Sequence, residues 1–335
     1  MAPQSKSPSR TRSGRPLRMA AAFLVLLALA GYLAMRYTTG GRTAPRCTVV
    51  SGRGGDASYH FSPEQAGNAA TISAVGTSRG MPERAVVIAL ATALQESDLH
   101  NLDHGDRDSV GLFQQRPSQG WGTTEKIMDP AYAAGAFYTR LNRVPGYARL
   151  PVTVAAQHVQ RSGFPEAYAR HEPEAALLAA ALTGRAPATL TCEGGGGRMP
   201  GDPDRVRRAL VHDFGSDVLA PAASSAPRHG TSATGSRTTG ERAGGARAGS
   251  AGSDRHMVTV PVRAAAGKAA TGARQRGWAL AHWAVANSVA LHITQVGYGG
   301  RQWSGDTGTW GTAGGDGKSG ASAGGTDRVL IDTAG

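Results

Sequence analysis

The stretch from Ala91 to Gly122 has the residues best suited to chemistry: a glutamate at the end of a predicted helix, then a loop rich in Asp, Gly and Gln. Glu96 falls in the last turn of a helix that begins at Pro82. The same helical face has only small apolar residues, Ala85, Ala89 and Ala93. Because the helix dipole and burial both disfavour a carboxylate there, the pKa of Glu96 is expected to be raised. Such a carboxyl group suits general acid catalysis of glycoside cleavage, and the alternative is an ordinary exposed glutamate at a helix end.

The residues around this glutamate form recognisable motifs. Glu96-Ser97, followed by Gly111-Leu112-Phe113-Gln114, resembles the paired Glu-Ser and Gly-Leu-Met-Gln motifs of the soluble lytic transglycosylase and goose-type lysozyme superfamily. The run from Gly105 to Ser118, with Gly120-Trp121-Gly122, is similar to the transglycosylase-like domains of exported cell-wall proteins from high-GC Gram-positive bacteria. The resemblance covers residues 47–192.

This resemblance implies a reaction and a role for each matching residue. Glu96 would be the catalytic acid and base, with Ser97 as its structural neighbour, and Gly111, Phe113 and Gln114 would line the glycan cleft. In lytic transglycosylases the substrate's own N-acetyl group or C6 hydroxyl serves as the nucleophile, so no second carboxylate is obligatory. No cofactor is expected.

The third motif of the superfamily, Ala-Tyr-Asn, is not kept. The corresponding phrase is Ala155-Ala156-Gln157-His158. Gln157 is a candidate to replace the missing hydrogen bonds, and Tyr168 is a candidate to supply a hydroxyl. Otherwise the domain would bind glycan and cleave it weakly or not at all. Phe113 and Trp121 fit equally well as sugar-stacking or as core aromatics.

The loop after Glu96 also has polar side chains that are interpreted as turn-capping residues rather than as a metal site. They are Asp98, His100, Asp103, His104, Asp106 and Asp108. Three of the aspartates lack the spacing of an EF-hand, and the two histidines fall in a loop rather than on a helix face. No metal site is predicted.

Residues 47–192 have helix signals in regular order and no long period-two alternation, which predicts an all-α, lysozyme-like domain. Ser62 to Gln65 form a capping box with proline at the first helical position. Helices are expected over residues 65–79, from 82 to the turn of Glu96, and over 130–141, 152–159, 165–170 and 174–182.

The remaining chain predicts a small α+β C-terminal module that begins at 193–220 and continues at 256–335. Helices are expected at 204–214 and 278–289, and strands at 258–262, 292–298 and 329–331. Between its parts, residues 221–255 have no Val, Ile, Leu, Met or aromatic residue, which predicts a disordered linker. Residues 304–327 hold nine glycines, which predicts a long mobile loop.

The net charge of +12 is unevenly distributed. Residues 1–46 have eight basic and no acidic residues, whereas residues 47–192 have a net charge of −1 from twelve basic and thirteen acidic ones. No basic patch or motif for nucleic acid is visible. The basic segment 1–18 precedes an uncharged run, 19–35, which predicts a signal anchor or a cleaved signal peptide. The chain would then be exported, with 36–46 as a linker and the rest extracytoplasmic, or secreted after cleavage.

Cys47 and Cys192 bracket the predicted helical domain. In an oxidising compartment the pair is interpreted as one disulfide that ties the two ends together. The alternative is two free thiols, one of them a nucleophile, but neither flank suggests a histidine partner.

Together these features predict a membrane-anchored protein that acts on peptidoglycan glycan strands, cleaving the β-1,4 bond between N-acetylmuramic acid and N-acetylglucosamine. The alternative is a catalytically inactive peptidoglycan-binding scaffold with a lysozyme-like fold. Loss of the Tyr and Asn of the third motif favours the scaffold, whereas the Glu-Ser and Gly-Leu-Phe-Gln motifs favour the enzyme. Metal transport is a poor third hypothesis, because the chain has one apolar span and no cluster of Cys or Met ligands.

Overall fold

The computed structural model describes residues 26–28, 30–31, 45–52, 54–161, 165–194, 199–220, 256–263, 270–313 and 325–335. Its helices from residue 45 onward are α1 (Pro63–Ser78), α2 (Glu83–Ser97), α3 (Thr124–Ile127), α4 (Pro130–Leu141), α5 (Val152–Gln160), α6 (Glu172–Leu182), α7 (Pro203–Phe214), α8 (Ala270–Ala286) and α9 (Ser288–Leu291). Short 3₁₀ turns lie at Pro117–Gln119, Tyr147–Arg149, Pro165–His171 and Ser216–Leu219. The strands are β1 (Cys47–Val50), β2 (Ser58–Phe61), β3 (Leu190–Cys192), β4 (Met257–Pro261), β5 (Ile293–Tyr298), β6 (Arg301–Ser304), β7 (Thr309–Thr312) and β8 (Arg328–Thr333).

Helix α2 lies at the centre of the helical part. Every residue from Ala85 to Leu94 is buried, and α1, α4, α5 and α6 all pack against it. A helix that is apolar on all sides is stable only inside a core. Its first turn, with Glu83 and Arg84, and its last turn, with Gln95 and Glu96, are partly open to solvent.

The predicted capping box of α1 is confirmed. The Ser62 hydroxyl accepts from the backbone N–H of Gln65 at 3.2 Å, and the Gln65 side chain accepts from the backbone N–H of Ser62 at 2.8 Å. Together these bonds satisfy two donors that the first turn of a helix leaves open. The start of α1 is thereby fixed.

The prediction of a purely all-α domain for residues 47–192 is wrong. Strands β1, β2 and β3 form an antiparallel sheet in the order β2-β1-β3. Each strand is only three or four residues long, which is too short for a period-two alternation to be recognised in the sequence. Cys47 pairs directly with Cys192 across β1 and β3, and the two form the predicted disulfide.

The C-terminal elements form a second antiparallel sheet, in the order β4-β8-β5-β6-β7. Helix α8 packs against β5 and β8 and also against α1 and α6, and it therefore connects this sheet to the helical part. At the contact, Gly184 has a φ of +78°, and a Cβ there would lie 1.8 Å from the carbonyl oxygen of Gln275, so only glycine allows this approach. Contacts group residues 45–335 into one unit.

The strand predicted at 329–331 is confirmed as part of β8, which lies between β4 and β5. One prediction about this sheet needs correction. Part of the predicted Gly-rich loop, Thr309–Thr312, is strand β7, which pairs with β6. Trp310 supplies the reason, because its indole N–H donates to the carbonyl of Leu190 at 2.8 Å and so connects β7 to β3.

A buried carboxylate, Asp213 of α7, joins both parts of the fold. Its Oδ2 accepts from the Thr71 hydroxyl at 2.8 Å and from the Trp283 indole N–H at 2.7 Å. Its Oδ1 lies 2.8 Å from Nδ1 of His212, whose Nε2 lies 3.2 Å from Asp129 at the start of α4. With a carboxylate at each ring nitrogen, the protonated imidazole is the form that donates to both. These hydrogen bonds raise the pKa of His212 to about 9.

The predicted linker at 221–255 lies outside the described residues, as does most of the predicted anchor at 19–35. Among the residues that are described, no helix is long and apolar enough to cross a bilayer. The anchor and the linker stay predictions.

We expect the replacement of both cysteines by serine to destabilise the fold. The disulfide closes a loop of 145 residues in sequence separation, for which the chain-entropy model gives about 3–5 kcal/mol. Denaturant unfolding of the Cys47→Ser/Cys192→Ser variant, compared with oxidised and reduced wild type, measures the loss. Equal stability of the three forms would refute the contribution.

We expect His212 to stabilise the fold in a pH-dependent way. Because its pKa is raised from 6.5 to about 9 in the folded state, the contribution is fully present below pH 6.5 and is lost as the pH rises through about 9. The difference in melting temperature between wild type and His212→Gln, measured across this range, should shrink towards alkaline pH. A difference that is constant with pH would contradict the assignment.

Candidate active site

The end of α2 is held in a fixed position by α1. Asp98 and Leu99 adopt left-handed backbone conformations, with φ of 52° and 60°, and so turn the chain away from the helix. Their carbonyl oxygens accept from the side-chain amides of Gln65 at 2.8 Å and of Asn68 at 2.7 Å. The turn that contains Glu96 is therefore fixed by hydrogen bonds to a neighbouring helix.

Ser97 joins the two motifs that the sequence analysis paired. It is buried, and its hydroxyl lies 2.8 Å from the carbonyl oxygen of Leu112 and 3.1 Å from that of Ala93. The first contact connects the helix end to the Gly-Leu-Phe-Gln segment. Ser97 thus occupies the position of a structural neighbour of Glu96.

The Gly-Leu-Phe-Gln segment is a tight turn against α3. Gly111 has a φ of +79°, and a Cβ there would lie 2.9 Å from the carbonyl oxygen of Ile127. Its N–H donates to the carbonyl of Leu102 at 2.6 Å. The Gln114 side chain donates to the carbonyls of Gly111 at 3.2 Å and of His104 at 3.3 Å. The Gln114 amide therefore forms its hydrogen bonds within the loop and stabilises the loop conformation.

Phe113 contributes to the core and to the site through different atoms. Its ring is fully buried and stacks on Phe137, with ring centroids 4.7 Å apart. Its backbone carbonyl accepts from the side-chain amide of Gln160 at 2.7 Å. Gln160 ends α5, so this bond connects α5 to the Gly-Leu-Phe-Gln turn.

Glu96 lies half-buried where these elements meet. The hydroxyl of Tyr168, a fully buried residue of the 3₁₀ turn Pro165–His171, donates to Glu96 Oε1 at 2.6 Å. Burial raises the pKa of Glu96, and the Tyr168 hydroxyl and the nearby Gln160 side chain lower it by a smaller amount, so the net shift is upward. The carboxyl group is thus suited to carry a proton at a pH where an exposed glutamate has lost it.

The structure brings most of the predicted site residues together. Glu96 and Tyr168 are hydrogen-bonded, and Ser97, Gly111 and Phe113 hold the adjacent turn. Gln157 lines a depression of about 300 Å³ with Val154, His158, Arg161 and Glu166 among others, and Glu96 is not among its lining residues.

The glutamine next to Glu96 is Gln160, which the site prediction did not include. It falls three residues after Gln157 in the same helix, α5. Residues three apart lie on nearly the same helical face, so the spacing alone left both positions open. The signal that could have found it is the second glutamine of the phrase Ala155-Ala156-Gln157-His158-Val159-Gln160.

Both aromatic residues considered for sugar stacking are core residues. Trp121 is 5% exposed, and the guanidinium of Arg140 lies 3.4 Å from the centre of its ring. Phe113 is enclosed by Phe137. Neither ring face is open to a glycan.

The acidic loop is organised by ion pairs and by backbone capping. Asp108 accepts from Arg116 at 2.7 Å and from the backbone N–H of Ser118 at 2.8 Å, and these bonds hold its pKa well below the usual range. Asp103 pairs with His104 at 2.8 Å. Within the described residues, no three His, Cys, Asp or Glu side chains converge as metal ligands would.

Comparison with known protein families and with curated proteins gives no significant match. The resemblance to lytic transglycosylases is therefore a prediction from the sequence motifs.

We expect Tyr168→Phe to raise the pKa of Glu96 further, because the substitution removes a hydrogen bond to the charged form while burial stays. Carboxyl ¹³C chemical shifts of Glu96, followed by NMR through a pH titration, measure the change. Tyr132→Phe is the matched control, since the Tyr132 hydroxyl donates to the Trp121 carbonyl instead. An unchanged or lowered pKa in Tyr168→Phe would refute this role.

Proposed function

We propose that residues 47–192 cleave the β-1,4 bond between N-acetylmuramic acid and N-acetylglucosamine in peptidoglycan, with Glu96 as the single catalytic carboxyl group. The observation that carries the proposal is the environment of Glu96: a half-buried carboxyl group at a fixed helix end, with the Tyr168 hydroxyl 2.6 Å away and with burial that raises its pKa. Glycoside cleavage requires a group that is protonated before the reaction and ionised after the first step.

The proposed reaction uses Glu96 twice. Protonated Glu96 donates its proton to the glycosidic oxygen, and the bond from that oxygen to the anomeric carbon breaks, which leaves positive charge on the muramic acid ring. The carboxylate then takes the proton of the C6 hydroxyl, whose oxygen bonds to the anomeric carbon and closes a 1,6-anhydro ring. In a lysozyme-type reaction, water would take the place of that hydroxyl.

The hydrogen bond from Tyr168 suits both steps. In the first step this hydrogen bond lowers the proton affinity of Glu96, which makes the group a stronger acid. In the second step it stabilises the carboxylate that has formed. Burial has the opposite and larger effect on the pKa. The balance of the two keeps both protonation states accessible, which a residue that acts as acid and then as base requires.

We propose that the helical part acts outside the cytoplasmic membrane, held by one anchor or released by cleavage. The basic segment and the uncharged run at 19–35 support this proposal. Peptidoglycan strands are the proposed partner. A disulfide between Cys47 and Cys192 is consistent with an oxidising compartment.

The second candidate is a peptidoglycan-binding scaffold without catalysis. The observation that favours it is the phrase Ala155-Ala156-Gln157-His158, which lacks the Tyr and Asn of the superfamily motif. The position of the Tyr168 hydroxyl on Glu96 favours the enzyme.

We expect the full-length protein to release muropeptides from purified peptidoglycan and Glu96→Gln to do so about 10²–10⁴-fold more slowly. Mass spectrometry identifies the chemistry, because anhydro products are lighter than hydrolysis products by one water, about 18 Da. Glu125→Gln, an exposed position on α3, is the matched control and should keep full activity. If wild type releases nothing but sediments with peptidoglycan, the scaffold replaces the enzyme.

A further inference from the structure

A pocket of about 480 Å³ lies where the helical part meets the C-terminal part. Residues from the ends of α1, α6 and α7 and from α8 line it, and none of its described lining residues belongs to the candidate active site. Cavities of this volume are typical of sites for small organic molecules. We refer to it as the junction pocket.

A half-buried cation on α8 lines the junction pocket and is held in place by an aromatic ring. The guanidinium carbon of Arg276 lies 4.8 Å from the centre of the Phe214 ring, and both residues line the pocket. Phe214 packs edge-on against the buried Trp283, with ring centroids 6.0 Å apart. A guanidinium that lies over a ring still presents the N–H groups at its edge to a further partner.

No counter-charge neutralises Arg276 within the described part of the chain. Its guanidinium forms no ion pair or hydrogen bond with those residues. Burial lowers its pKa, as expected for a cation that has lost water without gaining a carboxylate. Asp217 also lines the pocket, but it is exposed and does not pair with Arg276.

Two further carboxylates near the junction pocket already have partners of their own. Asp213, which precedes Phe214, accepts from the Thr71 hydroxyl at 2.8 Å and from the Trp283 indole at 2.7 Å. Glu83 accepts from Arg185 at 2.6 Å and from Thr183, a lining residue, at 3.4 Å. A desolvated cation whose donors lack acceptors costs free energy, and an anion in the pocket would recover it.

The rest of the lining combines a second cation with apolar surface. Arg263 contributes another guanidinium, and Met81, Val218 and Ala279 contribute apolar side chains. We infer that the junction pocket binds a small organic carboxylate, with its charged group on Arg276 and its apolar body on these side chains. The planar fork of N–H donors of a guanidinium matches the two oxygens of a carboxylate. This site is additional to the function proposed for Glu96.

Calorimetry with the full-length protein tests the inference with three probes: hexanoate, its neutral analogue hexanamide, and acetate. We expect hexanoate to bind at least about tenfold more tightly than hexanamide, as charge-assisted hydrogen bonds imply. Acetate should bind more weakly than hexanoate, by about fourfold for each methylene group that the pocket buries. Equal binding of hexanoate and hexanamide would overturn the inference.

Variants assign the preference to one side chain. Arg276→Gln should remove the preference for hexanoate over hexanamide, whereas Arg274→Gln, at an exposed arginine of the same helix, should keep it. Melting temperatures show whether each variant is folded. If Arg276→Gln does not fold, Arg276→Lys replaces it, because lysine keeps the charge without the planar fork. It should weaken hexanoate and leave hexanamide unchanged. A preference that survives in the Arg276 variant would contradict the assignment.

Inorganic phosphate separates an organic carboxylate from an anion of any kind. Phosphate has no apolar body to place on Met81, Val218 and Ala279, so at equal concentration it should not displace hexanoate. Displacement of hexanoate by equimolar phosphate would overturn the assignment to an organic carboxylate.

Discussion

The candidate site depends on how one buried helix ends. Helix α2 is enclosed by apolar neighbours along its length, and its last carbonyl groups need partners as the chain leaves it. Two left-handed residues turn the chain, and Gln65 and Asn68 of α1 bond the carbonyls that the turn exposes. The backbone of that last turn is therefore fixed by α1, and the carboxyl group of Glu96 bonds separately to the buried Tyr168 hydroxyl.

Elements of the C-terminal part also contact the elements that hold this arrangement. Asp213 bonds Thr71 of α1 and Trp283 of α8 through one carboxylate oxygen. Trp310 bonds β3, the strand that contains Cys192. Because α1 holds the end of α2, elements far along the sequence support the position of Glu96. The C-terminal part therefore belongs to the support of the site, although its sequence has no recognisable chemistry.

The sequence predicted the features that local patterns determine and missed those that distant contacts determine. Most helix bounds within residues 47–192 and the capping box follow from residues within one or two turns, and Glu96 is placed by the same spacing. The helix expected at 278–289 is wrong in its bounds, since α8 spans Ala270–Ala286 and α9 follows it. Strands β1 and β3 are three or four residues long, and their partners lie more than 140 positions apart. Gln157 and Gln160 belong to the same helix, and only their tertiary contacts distinguish them: Gln160 bonds the Phe113 carbonyl. Tyr168 was a candidate for its hydroxyl alone, and the 3₁₀ turn that brings it to Glu96 depends on tertiary packing.

The distribution of charge around the site follows from the chemistry proposed for Glu96. A guanidinium in contact with that carboxyl group would hold its proton affinity low, since an opposite charge within a few ångströms favours the ionised form. The groups that act on Glu96 are instead neutral: apolar surroundings, a tyrosine hydroxyl and a glutamine amide.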